Sequence, residues 1–289
     1  MKTFRDALRE EEFVVTADLP LRPTTTRADV EASLRKLRRS VHAVQLIDDR
    51  DIVGHMSGLA AAAIVLQNGT DPVLHLTGRD RNRVALQAEL LGAAVLGVTS
   101  LVIQRGEKLP TQGGLRGKGV FDTHETRLTE MARRVGEESG HVSPPGFLIG
   151  TYVTAFNPSE DWQAKRIAEI VNAGTRLLIT QPCLNVPLLE RYMAKVVERR
   201  ILHRASLVVE VPLLTGSDEA SDYKLRNPSA LIPDDTLSSI ISANDPRAEG
   251  IRACARMLAT LKDIPGVSGA NIRHSGSVDD VLAVLAEAS

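Results

Sequence analysis

Between Pro72 and Glu107 the chain passes from an apolar strand through a helix into a second apolar strand, and each strand ends in polar residues. The first run, Pro72-Val73-Leu74, leads into His75-Leu76-Thr77-Gly78-Arg79-Asp80. The second, Leu101-Val102-Ile103, leads into Gln104-Arg105-Gly106-Glu107. Reactive side chains at the carboxyl ends of consecutive parallel strands are how a (β/α)8 barrel builds its active site. A chain with this pattern is therefore expected to be α/β, with chemistry at one rim of the sheet.

The alternation continues along the sequence. Short β-rich runs are expected at 13–17, 43–47, 72–77, 100–104, 147–153, 176–180, 207–211 and 267–272. Helices are expected near 27–39, 57–67, 81–96, 123–138, 162–173, 186–199, 234–261 and 278–288, with an irregular stretch at 212–233. The helix after the third strand has Asp80 as its expected cap, and Val84, Leu86, Leu90 and Leu91 recur at helical spacing. Eight strand–helix units are the count of a (β/α)8 TIM barrel. A doubly wound open sheet is the runner-up, because periodicity does not reveal closure. No Gly-x-Gly-x-x-Gly follows the first strand, which weakens a nucleotide-binding open sheet. No linker or second core interrupts the pattern, so residues 1–289 are expected to form a single barrel domain. The loop at 108–121, with Gly113, Gly114, Gly117 and Gly119, is long enough to be functional or mobile.

Composition narrows the function. A net charge of −1 argues against a nucleic acid or an anionic membrane as partner. Two cysteines, Cys183 and Cys254, give neither a disulfide framework nor a metal-ligand spacing. The charged start MKTFRDALREEEF lacks the apolar core of a signal peptide, and no window approaches the roughly 20 apolar residues of a membrane span. A cytoplasmic protein is expected; homo-oligomerisation is left open.

In a barrel the candidates for chemistry stand at strand ends. They are Asp18, Asp48, Asp49, His75, Thr77, Arg79, Arg105, Glu107, Asn157, Gln181, Glu210, Asn271 and His274. Each has a bland alternative: a turn aspartate, a hydrogen-bonded core histidine, a buried structural amide. His274-Ser275-Gly276-Ser277-Val278-Asp279-Asp280 opens the last helix, where many barrels hold a phosphate. A capping box from Ser277 to Asp280 is the better reading there. Cys183 has no partnered base in sequence and is read as structural.

Several of these motifs resemble the methylenetetrahydrofolate reductase family over about residues 13–271. His75-Leu76-Thr77 is similar to the family's His-Leu-Thr, Arg105-Gly106-Glu107 to its Arg-Gly-Asp, and residues 172–181, ending Ile179-Thr180-Gln181, to the strand that carries its pterin-binding Gln. The resemblance implies that His75, Thr77, Arg105 and Gly106 face a flavin, that Gln181 holds the pterin, and that Glu107 tunes flavin and folate. It implies that Asp18, in Asp18-Leu19-Pro20, stands where the family has the Glu of Glu-x-x-Pro, the general acid. Asp is a methylene shorter, and a misplacement of about an ångström can cost roughly a hundredfold in rate. The basic run that neutralises the FAD pyrophosphate in the family is here Ile167-Ala168-Glu169-Ile170, leaving Lys165 and Arg166 as substitutes. The family's Tyr-x-x-x-His-Pro-Glu is here Thr154-Ala155-Phe156-Asn157-Pro158-Ser159-Glu160.

The implied activity is interconversion of 5,10-methylene- and 5-methyltetrahydrofolate with NADH or NADPH, FAD being held weakly or not at all. Direction stays open. A folate-binding or methyl-transfer accessory barrel without redox activity is the alternative. A Schiff-base aldolase is disfavoured, since no lysine ends an expected strand.

Overall fold

Eight parallel strands pair in sequence order, and the eighth returns to the first. They are β1 (Val14–Asp18), β2 (Ala43–Leu46), β3 (Pro72–Thr77), β4 (Ser100–Gln104), β5 (Leu148–Val153), β6 (Leu177–Thr180), β7 (Ser206–Pro212) and β8 (Gly269–Arg273). Thr16 of β1 pairs with Ala43 on one side and Asn271 on the other, which closes the barrel and excludes the open sheet. The computed structural model describes residues 2–47, 54–106, 118–142 and 146–288.

The helices are α1 (Phe4–Glu10), α2 (Arg27–Leu37), α3 (Gly58–Gln67), α4 (Arg83–Leu96), α5 (Glu125–Glu138), α6 (Lys165–Asn172), α7 (Val186–Glu198), α8 (Ser217–Arg226), α9 (Asp234–Ser242), α10 (Pro246–Leu261) and α11 (Val278–Glu287). No helix among the described residues is long and apolar enough to cross a membrane.

Side chains alternate between the two faces of a strand, so each barrel strand carries one set outward and one inward. The outward set, including Ala17, Val44, Leu46, Leu74, Leu76, Leu101 and Ile103, forms one core with helix residues such as Leu34, Leu86 and Leu90. The inward set changes character along the barrel. Near the amino ends of the strands it is apolar: Val14, Ala43, Val73, Val102, Leu148, Leu177 and Val208 form a second core. One or two steps further along the same strands come Asp18, Gln45, His75, Gln104, Glu210 and Asn271, and the interior becomes polar. The amino-terminal half is thus packed for stability and the carboxyl-terminal half is left for chemistry.

Helix α1, absent from the elements expected from sequence, stoppers the apolar half. Phe4 and Ala7 join the inner core, and full burial of a phenylalanine contributes about 1.5–3 kcal/mol. The Phe4 amide donates to Asp71 Oδ2 at 2.7 Å, and Thr3 with Asp6 forms a reciprocal capping box.

Other boundaries differ from expectation for local reasons. Asn82, not Asp80, caps α4 by accepting from the Ala85 amide, while Asp80 accepts from Arg79 and Arg81. The stretch at 212–233 contains α8, which buries only Ala220 and Tyr223 and so shows little apolar period. The expected helix at 234–261 is two helices. Pro246 lacks an amide hydrogen and opens α10 at its first turn, with Asp245 as the cap. Ser277 caps α11 from the Asp279 amide, but Asp280 does not close a box; it accepts from Arg247 Nε at 2.7 Å.

Candidate functional site

The polar half of the barrel interior is ordered by a chain of hydrogen bonds that crosses five strands. Gln45 Nε2 donates to Thr16 Oγ1 at 3.0 Å, which turns the Gln45 oxygen toward His75 Nε2, 2.8 Å away. His75 therefore carries its proton on Nε2, and its Nδ1 accepts from Gln104 Nε2 at 3.2 Å. Onward from Thr16, the hydroxyl donates to Asn271 Oδ1 at 2.8 Å, and Asn271 Nδ2 donates to Asp18 Oδ1 at 2.8 Å. Every donor in the series points the same way, from Gln104 through His75, Gln45, Thr16 and Asn271 to the Asp18 carboxylate. Hydrogen bonds aligned in this way polarise one another, so the chain presents a strengthened donor to Asp18 and fixes its orientation. Asp18 is 5% exposed, and that remainder opens into a cavity.

A second cluster spans β5, β7 and β8. Glu210 is fully buried; it accepts from the Tyr152 hydroxyl at 2.7 Å and from Arg273 Nη1 at 3.0 Å. Burial, reinforced by the Glu210 charge, raises the Tyr152 phenol well above its usual value, so it stays a neutral donor. Glu210 in turn holds the Arg273 guanidinium firmly protonated. Burial of the His274 imidazole lowers its proton affinity, and its Nε2 lies 3.0 Å from the Asp18 carbonyl.

These groups line a cleft of two adjoining lobes at the carboxyl-terminal mouth. One, of about 250 Å³, is lined by Asp18, Leu21, Arg22, Tyr223 and His274 among others. The other, of about 220 Å³, is lined by Thr77, Arg79, Gln104, Gly106, Tyr152, Gln181 and Glu210 among others. Ile47, Asn227 and Arg273 belong to both.

The site residues expected from sequence fall into three groups. Asp18, Thr77, Gly106 and Gln181 line the cleft, and His75 lies in the hydrogen-bond chain behind it. Gly106 has φ of 81°, and a Cβ there would come within 2.6 Å of Arg79 Cβ, so only glycine lets the ends of β3 and β4 approach this closely. Gln181 uses one amide hydrogen and one lone pair on the Ala155 backbone, with both bonds at 2.8 Å. One hydrogen and one lone pair remain to its amide for a ligand. Arg105 is exposed, with its guanidinium over the Phe121 ring at 5.5 Å. Asn157, Lys165 and Arg166 lie on the surface away from both lobes, and Asn157 accepts from Arg191. Asp48, Asp49 and Glu107 lie outside the described residues.

The FAD implied by the resemblance can be tested against these positions. A flavin diphosphate needs two positive partners or free amide hydrogens. Along α6 the described residues offer Lys165 and Arg166, which do not line the cleft, and the opposing Glu169. The side chains present do not fit a diphosphate at that helix.

Gln45, Thr16, Tyr152, Tyr223 and Arg273 were not singled out from sequence. For Gln45 and Thr16 the signal is a polar residue on the inward register of a strand whose neighbours are aliphatic, as Gln45 stands between Val44 and Leu46, whereas Tyr223 lies on α8 and has no such mark. Cys183 fits its structural reading, since burial pushes its thiol up to about 11.

A closed eight-stranded barrel with an apolar base and a polar, carboxylate-bearing mouth belongs to the class of barrels whose sites for small molecules stand at that mouth. Within that class, the family model of methylenetetrahydrofolate reductase matches residues 14–270, and the chain belongs to that family. No curated protein matches it. Among solved structures, the barrel is similar to an uncharacterized protein from Clostridium thermocellum that binds two copies of 5-methyl-5,6,7,8-tetrahydrofolic acid. The TM-score is 0.67 at 13% identity, covering 98% of this chain and 96% of that one. At that identity the likeness is one of fold.

Proposed function

We propose that the cleft binds a reduced folate and catalyses the interconversion of 5,10-methylene- and 5-methyltetrahydrofolate with a reduced nicotinamide as hydride donor. Membership of the reductase family supports the folate. The observation that carries the chemistry is the hydrogen-bond series ending on a cavity-facing carboxylate at Asp18. In the reductive direction, Asp18, whose carboxylate the donor series favours, takes up a proton from solvent and gives it to the imidazolidine nitrogen whose bond to the methylene carbon breaks. The electron pair of that bond stays on the departing nitrogen, and an iminium forms at the other. A hydride from the dihydronicotinamide then reduces the iminium carbon to methyl, leaving an oxidised nicotinamide. Gln181 would meet the pterin edge through its remaining hydrogen and lone pair; His75, Thr77 and Arg105 would serve whatever occupies the flavin's place, and Glu107 would tune the folate, as the family resemblance implies.

In this reading hydride passes directly from nicotinamide to folate, because the cations of α6, Lys165 and Arg166, do not line the cleft and Glu169 opposes them. The visible spectrum of the purified chain tests it. A colourless protein that oxidises NADH or NADPH only when methylenetetrahydrofolate is present supports direct transfer. Stoichiometric FAD that survives dialysis refutes it.

A second reading has its own observation. The two lobes are of similar size, as a barrel that holds two folates would need. The chain would then be a folate-binding or methyl-transfer accessory protein. Calorimetry separates the readings: two equivalents of 5-methyltetrahydrofolate bound, without nicotinamide oxidation, select the accessory protein.

A further inference from the structure

A cavity of about 560 Å³ lies at the opposite, amino-terminal mouth of the barrel, against α1 and the entries to β5, β6 and β7. Five arginines line it: Arg5 and Arg9 from α1, Arg133 from α5, Arg176 just before β6 and Arg204 just before β7. The one carboxylate lining it among the described residues is Glu137, which pairs with Arg133. The cavity is thus strongly positive although the chain as a whole has a net charge of −1.

Arg5 is attracted by Asp6 and Asp71, whereas the described side-chain bonds of Arg176 and Arg204 go to neutral acceptors. Arg5 is buried and donates to the Gly146 carbonyl at 2.7 Å. Arg176 Nη1 donates to the carbonyls of Val171 and Thr175, both at 2.8 Å, and Arg204 Nη1 to Asn172 Oδ1 at 2.8 Å. Such bonds aim the guanidinium groups and leave their charge in place. Partial desolvation, and then the adjacent Arg204, lower the hold of the largely exposed Arg176 on its proton. Five guanidinium groups against one lining carboxylate among the described residues give the cavity a positive potential, and a bound anion would be drawn to it.

We propose that this cavity binds a small molecule carrying two or more linked phosphates. Guanidinium forks match phosphate oxygens in bidentate geometry, and several of them converging favour a polyvalent anion over a single carboxylate. Barrel chemistry belongs to the other mouth, so this site anchors or regulates rather than catalyses. It is independent of the folate reading. Inorganic triphosphate and nucleoside triphosphates share the required chemistry.

The test is calorimetry on the full chain at physiological ionic strength with inorganic triphosphate, ATP and orthophosphate as probes. One saturable triphosphate site is expected, binding at least about tenfold more tightly than orthophosphate. Arg176→Gln/Arg204→Gln should weaken it by about tenfold or more, and Arg9→Gln, on an exposed position of α1, should weaken it without touching the barrel's carbonyl contacts. Arg22→Gln, at the folate mouth, should bind as the unmodified chain does. ATP binding more tightly than inorganic triphosphate identifies a nucleotide as the ligand, and equal binding identifies the phosphates alone. No saturable binding, binding unchanged in the Arg176→Gln/Arg204→Gln variant, or loss of binding in Arg22→Gln would each overturn the proposal.

Discussion

Replacing Asp18 by Asn separates the proton from everything else that this residue does. The side chains are nearly isosteric, and the amide oxygen can still accept from Asn271 Nδ2, which lies 2.8 Å from Asp18 Oδ1. What is lost in stability is the difference between a charge-assisted bond and a neutral one, about 1 kcal/mol. In a chain of this size that lowers Tm by about 2 °C, so the barrel survives. The catalytic loss is of another order. Removing a general acid costs about 10²–10⁴ in rate, or about 3–5 kcal/mol of transition-state stabilisation. Because protonation matters in the transition state, the loss should fall on kcat, with folate affinity nearly unchanged. The assay is folate-dependent loss of reduced-nicotinamide absorbance, with folate Kd from calorimetry on the same samples. A variant within about threefold of the unmodified turnover would remove Asp18 from the mechanism, whatever its place in the hydrogen-bond chain.

Two further outcomes follow from buried polar groups. Burial raises the Asp71 carboxyl to about 6, against about 3.9 in an unfolded chain, so between those values the folded protein holds more protons than the unfolded one and stability falls as pH rises. Unfolding in urea should therefore show Asp71→Asn gaining on the unmodified protein by about 3 kcal/mol between pH 4 and pH 7, and parallel pH profiles would refute this account. Gln181→Ala strips both bonds from the buried Ala155 backbone, so a stability loss of about 1–3 kcal/mol is expected together with at least a tenfold weaker folate complex; folate affinity unchanged on correctly folded protein would mark the amide as purely structural.

Strand–helix alternation made the architecture legible, because periodicity and breakers are local properties: eight apolar runs separated by helical spans predict eight units, and all eight strands are present. The family resemblance was legible for a related reason, since strand-end motifs such as His75-Leu76-Thr77 keep their residues adjacent in the chain. Asp18 and Gln181 could be named as site residues for the same reason. Closure was not legible; it rests on pairing between Thr16 and Asn271, residues at opposite ends of the sequence. Nor was α1 as a stopper, because Phe4 acquires its place only where Val14, Val73, Val102 and Val208 converge. The hydrogen-bond chain to Asp18 and the cluster of Tyr152, Glu210 and Arg273 each draw on strands far apart in sequence. Residue type and order determined which face of each strand could be polar. Which polar groups meet was decided only when the barrel closed, because a hydrogen bond depends on distance in space and carries no trace along the chain.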